Sequence, residues 1–362
     1  MFRGANYSVI ELFAGAGGLA LGLELAGFST KCLVEIDEWA VKTLKHNRPK
    51  WNVIKDDIRN ISNIGIKKIL KNNVEIDLLS GGYPCQSFSY AGNRLGINDV
   101  RGTLFFDFAK ILDEIKPKMF LAENVRGLVS HDKGRTLSIM LNVFEDIGYD
   151  VSYKMMNALD YGVAQKRERI IIVGVRTDVK SVVDEDFEYP APYKHRLVLK
   201  DVLHNVPASP CMSYPSRKKE IFKRVKPGGC WRDLPDHLAR EYMKGSYYLG
   251  GGKTGIARRM KWDEPALTVL CNPMQNQTDR CHPDDIRPFS VRENARIQSF
   301  PDDWEFMGTI SQQYKQIGNA VPVNMAKEVG ECIKKYLDKY FKKIMCVSDN
   351  SDKESSLYKV LF

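Results

Sequence analysis

Five short apolar runs punctuate the first half of the chain: "SVIELF" (8–13), "KCLVEI" (31–36), "EIDLLS" (75–80), "KMFLAE" (118–123) and "RIIIVGV" (169–175). Between them lie segments whose apolar positions recur at helical spacing, among them "LALGLELAGF" and "TLFFDFAKILDEI". Strands that are apolar at nearly every position, alternating with amphipathic helices, belong to sheets covered on both faces. They predict a doubly wound, mainly parallel α/β fold. Ligands of such sheets bind beyond the carboxyl ends of the strands. That rule singles out the glycines at 15, 17 and 18, then Glu35, Cys85 and Glu123, which all fall at or just after the end of a run.

From about 181 to 285 the periodicity weakens and the chain becomes rich in Pro, Gly and aromatics, as in "YPAPYKHR", "KPGGCWRDLP" and "YYLGGGKTG". This stretch is expected to form a second, smaller, irregular β-rich domain of short strands and loops. Later, "QIGNAVPVNMAKEVGECIKKYL" reads as a loop followed by an amphipathic helix. Residues 341–362 read as a polar, partly disordered tail. No internal repeat is visible.

Charge changes the picture more than length does. The 362 residues suit about two domains, and the formal net charge is +9. Between Lys194 and Asp233 stand ten Lys or Arg against three acidic residues. The basic balance is therefore concentrated in the second region, which suggests a polyanionic partner. Eight cysteines show neither a CxxC pair nor zinc-type His spacing, so no metal and no disulfide framework are expected. No apolar run reaches the roughly 18 residues of a membrane helix, and the N-terminus lacks a signal-cleavage pattern. A cytoplasmic location without membrane attachment is expected.

Two local motifs carry chemistry. "LFAGAGGLA" (12–20) fits G-x-G-x-x-A, with Glu35 twenty residues past Gly15, where a ribose-binding carboxylate is expected. This pattern does not separate NAD from another adenosine cofactor. In "GGYPCQSFSYAG" (81–92), Cys85 is either a small buried hydrophobe or a nucleophile.

Six segments in order decide between these readings: "ELFAGAGGLALGLELAGF", "GGYPCQSFSYAGNRLGINDVRGTLFFDF", "LAENVRGL", "QKRERIIIVGVR", "RPFSVRENARIQSFPDDWEF" and "QIGNAVPVNMA". The set closely resembles the ordered motifs of the DNA cytosine-5 methyltransferases, over about 1–180 and 285–335. The resemblance implies a Rossmann-like domain made of 1–180 plus 286–340, closed by the late helix. It makes 181–285 the target-recognition domain, reading double-stranded DNA in the major groove. S-adenosyl-L-methionine is the implied cofactor. The implied setting is a bacterial restriction–modification system, with the protein associated with the nucleoid through DNA and acting as a monomer.

Residue by residue, the resemblance makes Cys85 the thiolate that adds to C6 of a flipped-out cytosine, and Glu123 the group that supplies a proton at N3. It puts Arg167 near the cysteine and the base, supported by Gln165 and Arg169, three positions that an extended segment would place on one face. Phe13 would pack on adenine, Gly15 and Gly17 would admit the methionine end, and Glu35 would bind the ribose. Asp57, with Asp56 as its rival, would reach the adenine amino group, and Pro84 and Asn319 would line the same pocket. The base that removes the C5 proton is not identified. An RNA cytosine methyltransferase, a non-catalytic DNA-binding regulator and an NAD oxidoreductase stand as rival readings.

Overall fold

The computed structural model describes residues 6–70, 75–84, 103–248, 255–275 and 278–358, with side chains up to residue 346. Cys85 lies outside the described residues.

A seven-stranded sheet organises the chain. Its strands are β1 (Tyr7–Leu12), β2 (Phe28–Glu35), β3 (Val53–Lys55), β4 (Leu78–Gly81), β5 (Met119–Val125), β6 (Tyr149–Asn157) and, after the two-residue β7 (Gln165–Lys166), β8 (Glu168–Arg176). The spatial order is β3-β2-β1-β4-β5-β8-β6. Pairing is parallel from β3 through β5, and β8 runs antiparallel between β5 and β6. The five apolar runs are all strands of this sheet. β6, "YDVSYKMMN", is a strand that the apolar-run criterion passes over, because it is an edge strand with exposed and polar positions interleaved.

The apolar runs are continuous because both faces are covered. Ile10, Leu12, Leu79, Phe120, Ala122, Ile170 and Ile172 pack on one side with the helices Leu104–Ile115 and Arg135–Ile147. Val9, Leu78, Met119, Leu121, Ile171 and Val173 face the other side, against the helices Gly18–Leu25 and Val323–Tyr358. The late helix presents Met325, Val329, Ile333 and Leu337 as a buried stripe at helical spacing. It continues through the stretch expected to be a disordered tail, since "KYFKKIMCVSDNSDKESSL" contains no Pro or Gly to stop it.

Close approach of these two helices depends on Gly22. A Cβ there would lie 2.5 Å from Ala326 Cβ and 2.6 Å from the Val323 carbonyl oxygen. The expected result of Gly22→Ala is a net loss of up to about 2 kcal/mol. Overpacking of roughly 1–3 kcal/mol outweighs a helix-propensity gain of about 1 kcal/mol. Urea unfolding checks this, and a variant more stable than the parent would contradict it.

The stretch 181–285 is not the β-rich unit expected. Its described residues hold the helices Leu199–Val202, Ser216–Lys223 and Asp236–Met243 and three two-residue strands, β9 (Arg258–Arg259), β10 (Ala266–Leu267) and β11 (Arg280–Cys281). Pro215 and Pro235 cap the two longer helices. Two prolines of this Pro- and Gly-rich stretch are thus helix starts rather than loop residues, and eight residues are too few to show a clear period. A small core of Tyr214, Ile221, Phe222, Val225, Leu234 and Ala239 holds this module together. Leu199, Leu203, Met260 and Ala266 instead pack with Ala14, Leu33 and Trp304.

Candidate active site

The chain leaves β1 toward β2 on one side and returns to β4 on the other, so the carboxyl ends of β1 and β4 diverge. This is the switch point at which open α/β sheets bind ligands. A cleft of about 660 Å³ lies there, within the usual range for cofactor pockets. Phe13, Gly15, Glu35, Pro84, Glu123, Arg167, Arg169 and Asn319, all singled out from the sequence, line it together.

The loop after β1 is held in an uncommon shape. Phe13 has φ +58°, Gly15 +53° and Gly17 +87°, and a left-handed phenylalanine costs on the order of 1–3 kcal/mol. Glu35, at the end of β2, secures the loop. Its Oε2 accepts from the Gly15 amide at 2.7 Å, and its Oε1 accepts from the Ile36 and Asp37 amides at 2.8 and 2.7 Å. A carboxylate offers about four acceptor positions, so roughly one stays available to the cleft. Gly17 caps the helix Gly18–Leu25 rather than lining the cleft.

Beyond β4, the buried Tyr83 sits edge-on to Phe105, and its carbonyl accepts from Asn124 Nδ2 at 2.8 Å. The end of β5 thereby fixes the loop two residues before Cys85. A Cβ on Gly82 would lie 3.0 Å from Glu123 Oε2, so this loop runs directly along the carboxyl group.

Glu123 is 12% exposed and pairs with Arg169 Nε at 2.8 Å. The antiparallel register of β5 and β8 sets Val125 opposite Arg169 and brings the two side chains together. Burial pushes the Glu123 carboxyl above the usual carboxylate range, against the opposing pull of Arg169 and Arg167. Arg167 is 2% exposed. Its guanidinium donates to the Val269 carbonyl at 3.2 Å and the Gly318 carbonyl at 2.9 Å, while its buried Nε has no partner among the described residues. Burial and the charge of Arg169 pull it down to about 9, which leaves it cationic at neutral pH.

Two expectations are corrected. Gln165 does not share a face of the cleft with Arg167 and Arg169, because the extended segment is broken at 167 into β7 and β8. Fully buried, Gln165 donates to Gln298 Oε1 at 2.8 Å and accepts from the Val269 amide at 2.8 Å. Asp57 does not line the cleft either. It caps the helix Ile58–Ile64 and pairs with Arg59 at 2.8 Å, whose guanidinium holds the Asp57 carboxyl below its usual range. Asp56, its rival, accepts from the Asp57 amide and from Asn60.

Sequence reasoning missed Gln298 and Lys315. Gln298 Nε2 donates to the Ile317 and Ala320 carbonyls at 2.7 and 3.2 Å, tying the loop that carries Asn319 to Gln165. Its segment, "ARIQSF", mixes Arg and Ser with apolar residues and gave no signal of it. Lys315 lines the cleft and pairs with Asp37 at 2.8 Å. Asn319 Oδ1 accepts from the Cys271 thiol at 2.8 Å. Among the described residues no His, Cys, Asp and Glu group could hold a metal.

Fold and cleft define a Rossmann-like α/β protein whose first two strands end in a nucleoside-type pocket, with a buried acid and guanidinium pair beside it. The chain belongs to the C-5 cytosine-specific DNA methylase family, whose model matches residues 7–335. It is 55% identical over 338 residues to the type II methyltransferase M.Sau96I of Staphylococcus aureus, covering 93% of this chain and 78% of that one. It is 52% identical over 345 residues to M.Eco47II of Escherichia coli, covering 93% and 81%. Among solved structures, one described as a DNA modification methyltransferase encoded within an E. coli prophage superposes with a TM-score of 0.69 at 26% identity, over 92% of this chain and 99% of that one. Schizosaccharomyces pombe Dnmt2 shares the fold, with a TM-score of 0.62 at 17% identity, over 92% and 98%. The protein is a DNA cytosine-5 methyltransferase.

Proposed function

We propose that this enzyme is the modification partner of a bacterial restriction endonuclease, protecting one short double-stranded DNA sequence. The observation that carries the catalytic assignment is the buried Glu123–Arg169 pair, in one cleft with the Gly15 loop and with Pro84, which directly precedes Cys85. The type II names of its relatives support the biological setting. No helix among the described residues is long and apolar enough to cross a membrane, in keeping with work on DNA in the bacterial cytoplasm and nucleoid.

Carbon 5 of cytosine is too weak a nucleophile to be methylated unaided. The Cys85 thiolate adds to C6, which makes C5 enamine-like, and Glu123 supplies a proton at N3 to neutralise the charge that addition creates. Arg167 and Arg169 favour the thiolate over the thiol. The base swings out of the duplex for this to occur, costing a few kcal/mol that pocket contacts offset. The orphaned Arg167 Nε suits an acceptor on the incoming nucleotide.

The residues present fit S-adenosylmethionine: Phe13 for the adenine, the Gly15 loop for close backbone approach, Asn319 at the wall, and one spare acceptor on Glu35 for a ribose hydroxyl. When bound, this group supplies an electrophilic methyl. Glu35→Gln sets an amide donor against backbone N–H groups and weakens charge-assisted bonds worth about 1.5–3 kcal/mol. The Kd for S-adenosylmethionine is expected to rise about 10- to 100-fold by calorimetry, and an unchanged Kd would remove Glu35 from the pocket.

Bisulfite sequencing of plasmid DNA from cells expressing the gene tests the whole reading. Conversion-resistant cytosines confined to one short sequence are expected. A plasmid with no protected cytosine would overturn it.

A further inference from the structure

At the mouth of the cleft, on the corner where β5 leaves the sheet, Arg126 is 72% exposed and pairs with Glu168 at 2.5 Å. It lies three residues beyond Glu123, roughly 10 Å along extended chain. Glu168 stands between Arg167 and Arg169, which both line the cleft. Val125 and Val129, on either side of Arg126, are exposed apolar side chains. This rim therefore carries one open cation, Arg126, already neutralised by Glu168, above the largely buried Arg167, Arg169 and Glu123 side chains in the cleft.

A duplex brings one phosphate for every 1.7 Å or so of its axis. A base that reaches Glu123 must therefore carry its flanking phosphates past a cation roughly 10 Å away. The resident ion pair is no obstacle, since exposed pairs contribute about 0–1 kcal/mol. A phosphate accepts the same guanidinium in a bidentate fashion.

Resting on the DNA methyltransferase reading, we propose that Arg126 contacts a backbone phosphate of the duplex lying across the mouth of the cleft, whatever its sequence, and that Glu168 is the counter-ion which that phosphate displaces. Glu168 then acts as a competitor that weakens sequence-independent retention. Without it, the exposed Arg126 guanidinium would face every stretch of DNA with no carboxylate paired to it. With it, a phosphate must evict a carboxylate before Arg126 contributes.

The test is binding of a fluorescein-labelled 30-base-pair duplex of arbitrary sequence, followed by anisotropy from 50 to 200 mM salt, for the full chain and three variants. Arg126→Ala is expected to bind more weakly and to lower the slope of log K against log salt by about 0.9. Its affinity loss over that salt range should be about threefold smaller than the parent's. Glu168→Gln is expected to bind this duplex more tightly than the parent at 50 mM salt. Arg126→Ala/Glu168→Gln should match Arg126→Ala alone, since the carboxylate has nothing left to compete for. An unchanged slope in Arg126→Ala would overturn the proposal, as would a Glu168→Gln variant that binds no better than the parent. Melting temperature and S-adenosylmethionine affinity within error of the parent separate these results from misfolding. Methyl transfer by the parent to plasmid DNA is measured alongside. Its absence would strike the functional reading, whereas its presence with an unaltered slope strikes only the phosphate contact.

Discussion

Cys85→Ala is expected to lower methyl transfer by about 10⁴- to 10⁶-fold, the scale on which removal of a covalent nucleophile acts, while binding to duplex DNA persists. The residue lies one peptide beyond Pro84, which lines the cleft. The loop leading to it is fixed on both sides, by Tyr83 in the aromatic core and by Asn124 on the Tyr83 carbonyl. Position 82 runs against Glu123, and two guanidinium groups share the cleft. A thiol of ordinary pKa about 8.5 is only a few per cent ionised at neutral pH, so this electropositive surrounding matters. Tritiated methyl incorporation into DNA measures the loss. Trapping of the parent, but not the variant, on 5-fluorocytosine-substituted target DNA locates the bond. A variant keeping more than about a hundredth of the parent rate would assign the chemistry elsewhere.

The second large effect is expected for Glu123→Gln, a fall of about 10²- to 10⁴-fold in turnover, the range for loss of a general acid. The cause is specific to this environment. Burial raises the Glu123 pKa, so more of the carboxyl stays protonated near neutrality than in an exposed glutamate. Activity in the parent should therefore decline as pH rises through that raised pKa, and the glutamine variant should lack this decline. Stability moves in the same direction. The folded chain holds the Glu123 proton more tightly than the unfolded chain does, so stability is lost as pH climbs from the ordinary carboxylate range through the raised value. Glutamine removes that dependence but leaves Arg169 without its carboxylate partner. Turnover against pH, with S-adenosylmethionine affinity as control, checks the assignment. A glutamine variant that retains the parent's pH profile would refute it.

The sheet was legible because burial on both faces writes itself as unbroken apolar runs, and the cleft because the four parallel runs each lead into a chemically distinctive residue. Helical spacing likewise marked the stretches that cover the sheet. What the pattern hid was pairing. Nothing in "QKRERI" says that the strand breaks at Arg167, so that Gln165 turns to Gln298 while Arg167 and Arg169 enter the cleft. Nothing marks β8 as the antiparallel insertion that sets Arg169 beside Glu123. Asp57 shows a converse ambiguity, for an Asp after a short strand serves as a helix cap as readily as a ligand, and here it caps the helix Ile58–Ile64. In the stretch 181–285, eight-residue helices bury too few side chains to show a period, and Pro215 and Pro235 spoke for loops where they begin helices.

The hydroxyl of Tyr7 donates to Asp338 at 2.6 Å, and its ring stacks on Phe341 at 5.6 Å, so the first strand is pinned by the last helix. The wall bearing Lys315 and Asn319 is also supplied late. A nascent polypeptide on the ribosome thus exposes a half-built pocket until the segment through Asn319 has been made, and products truncated before it lack that wall of the cleft.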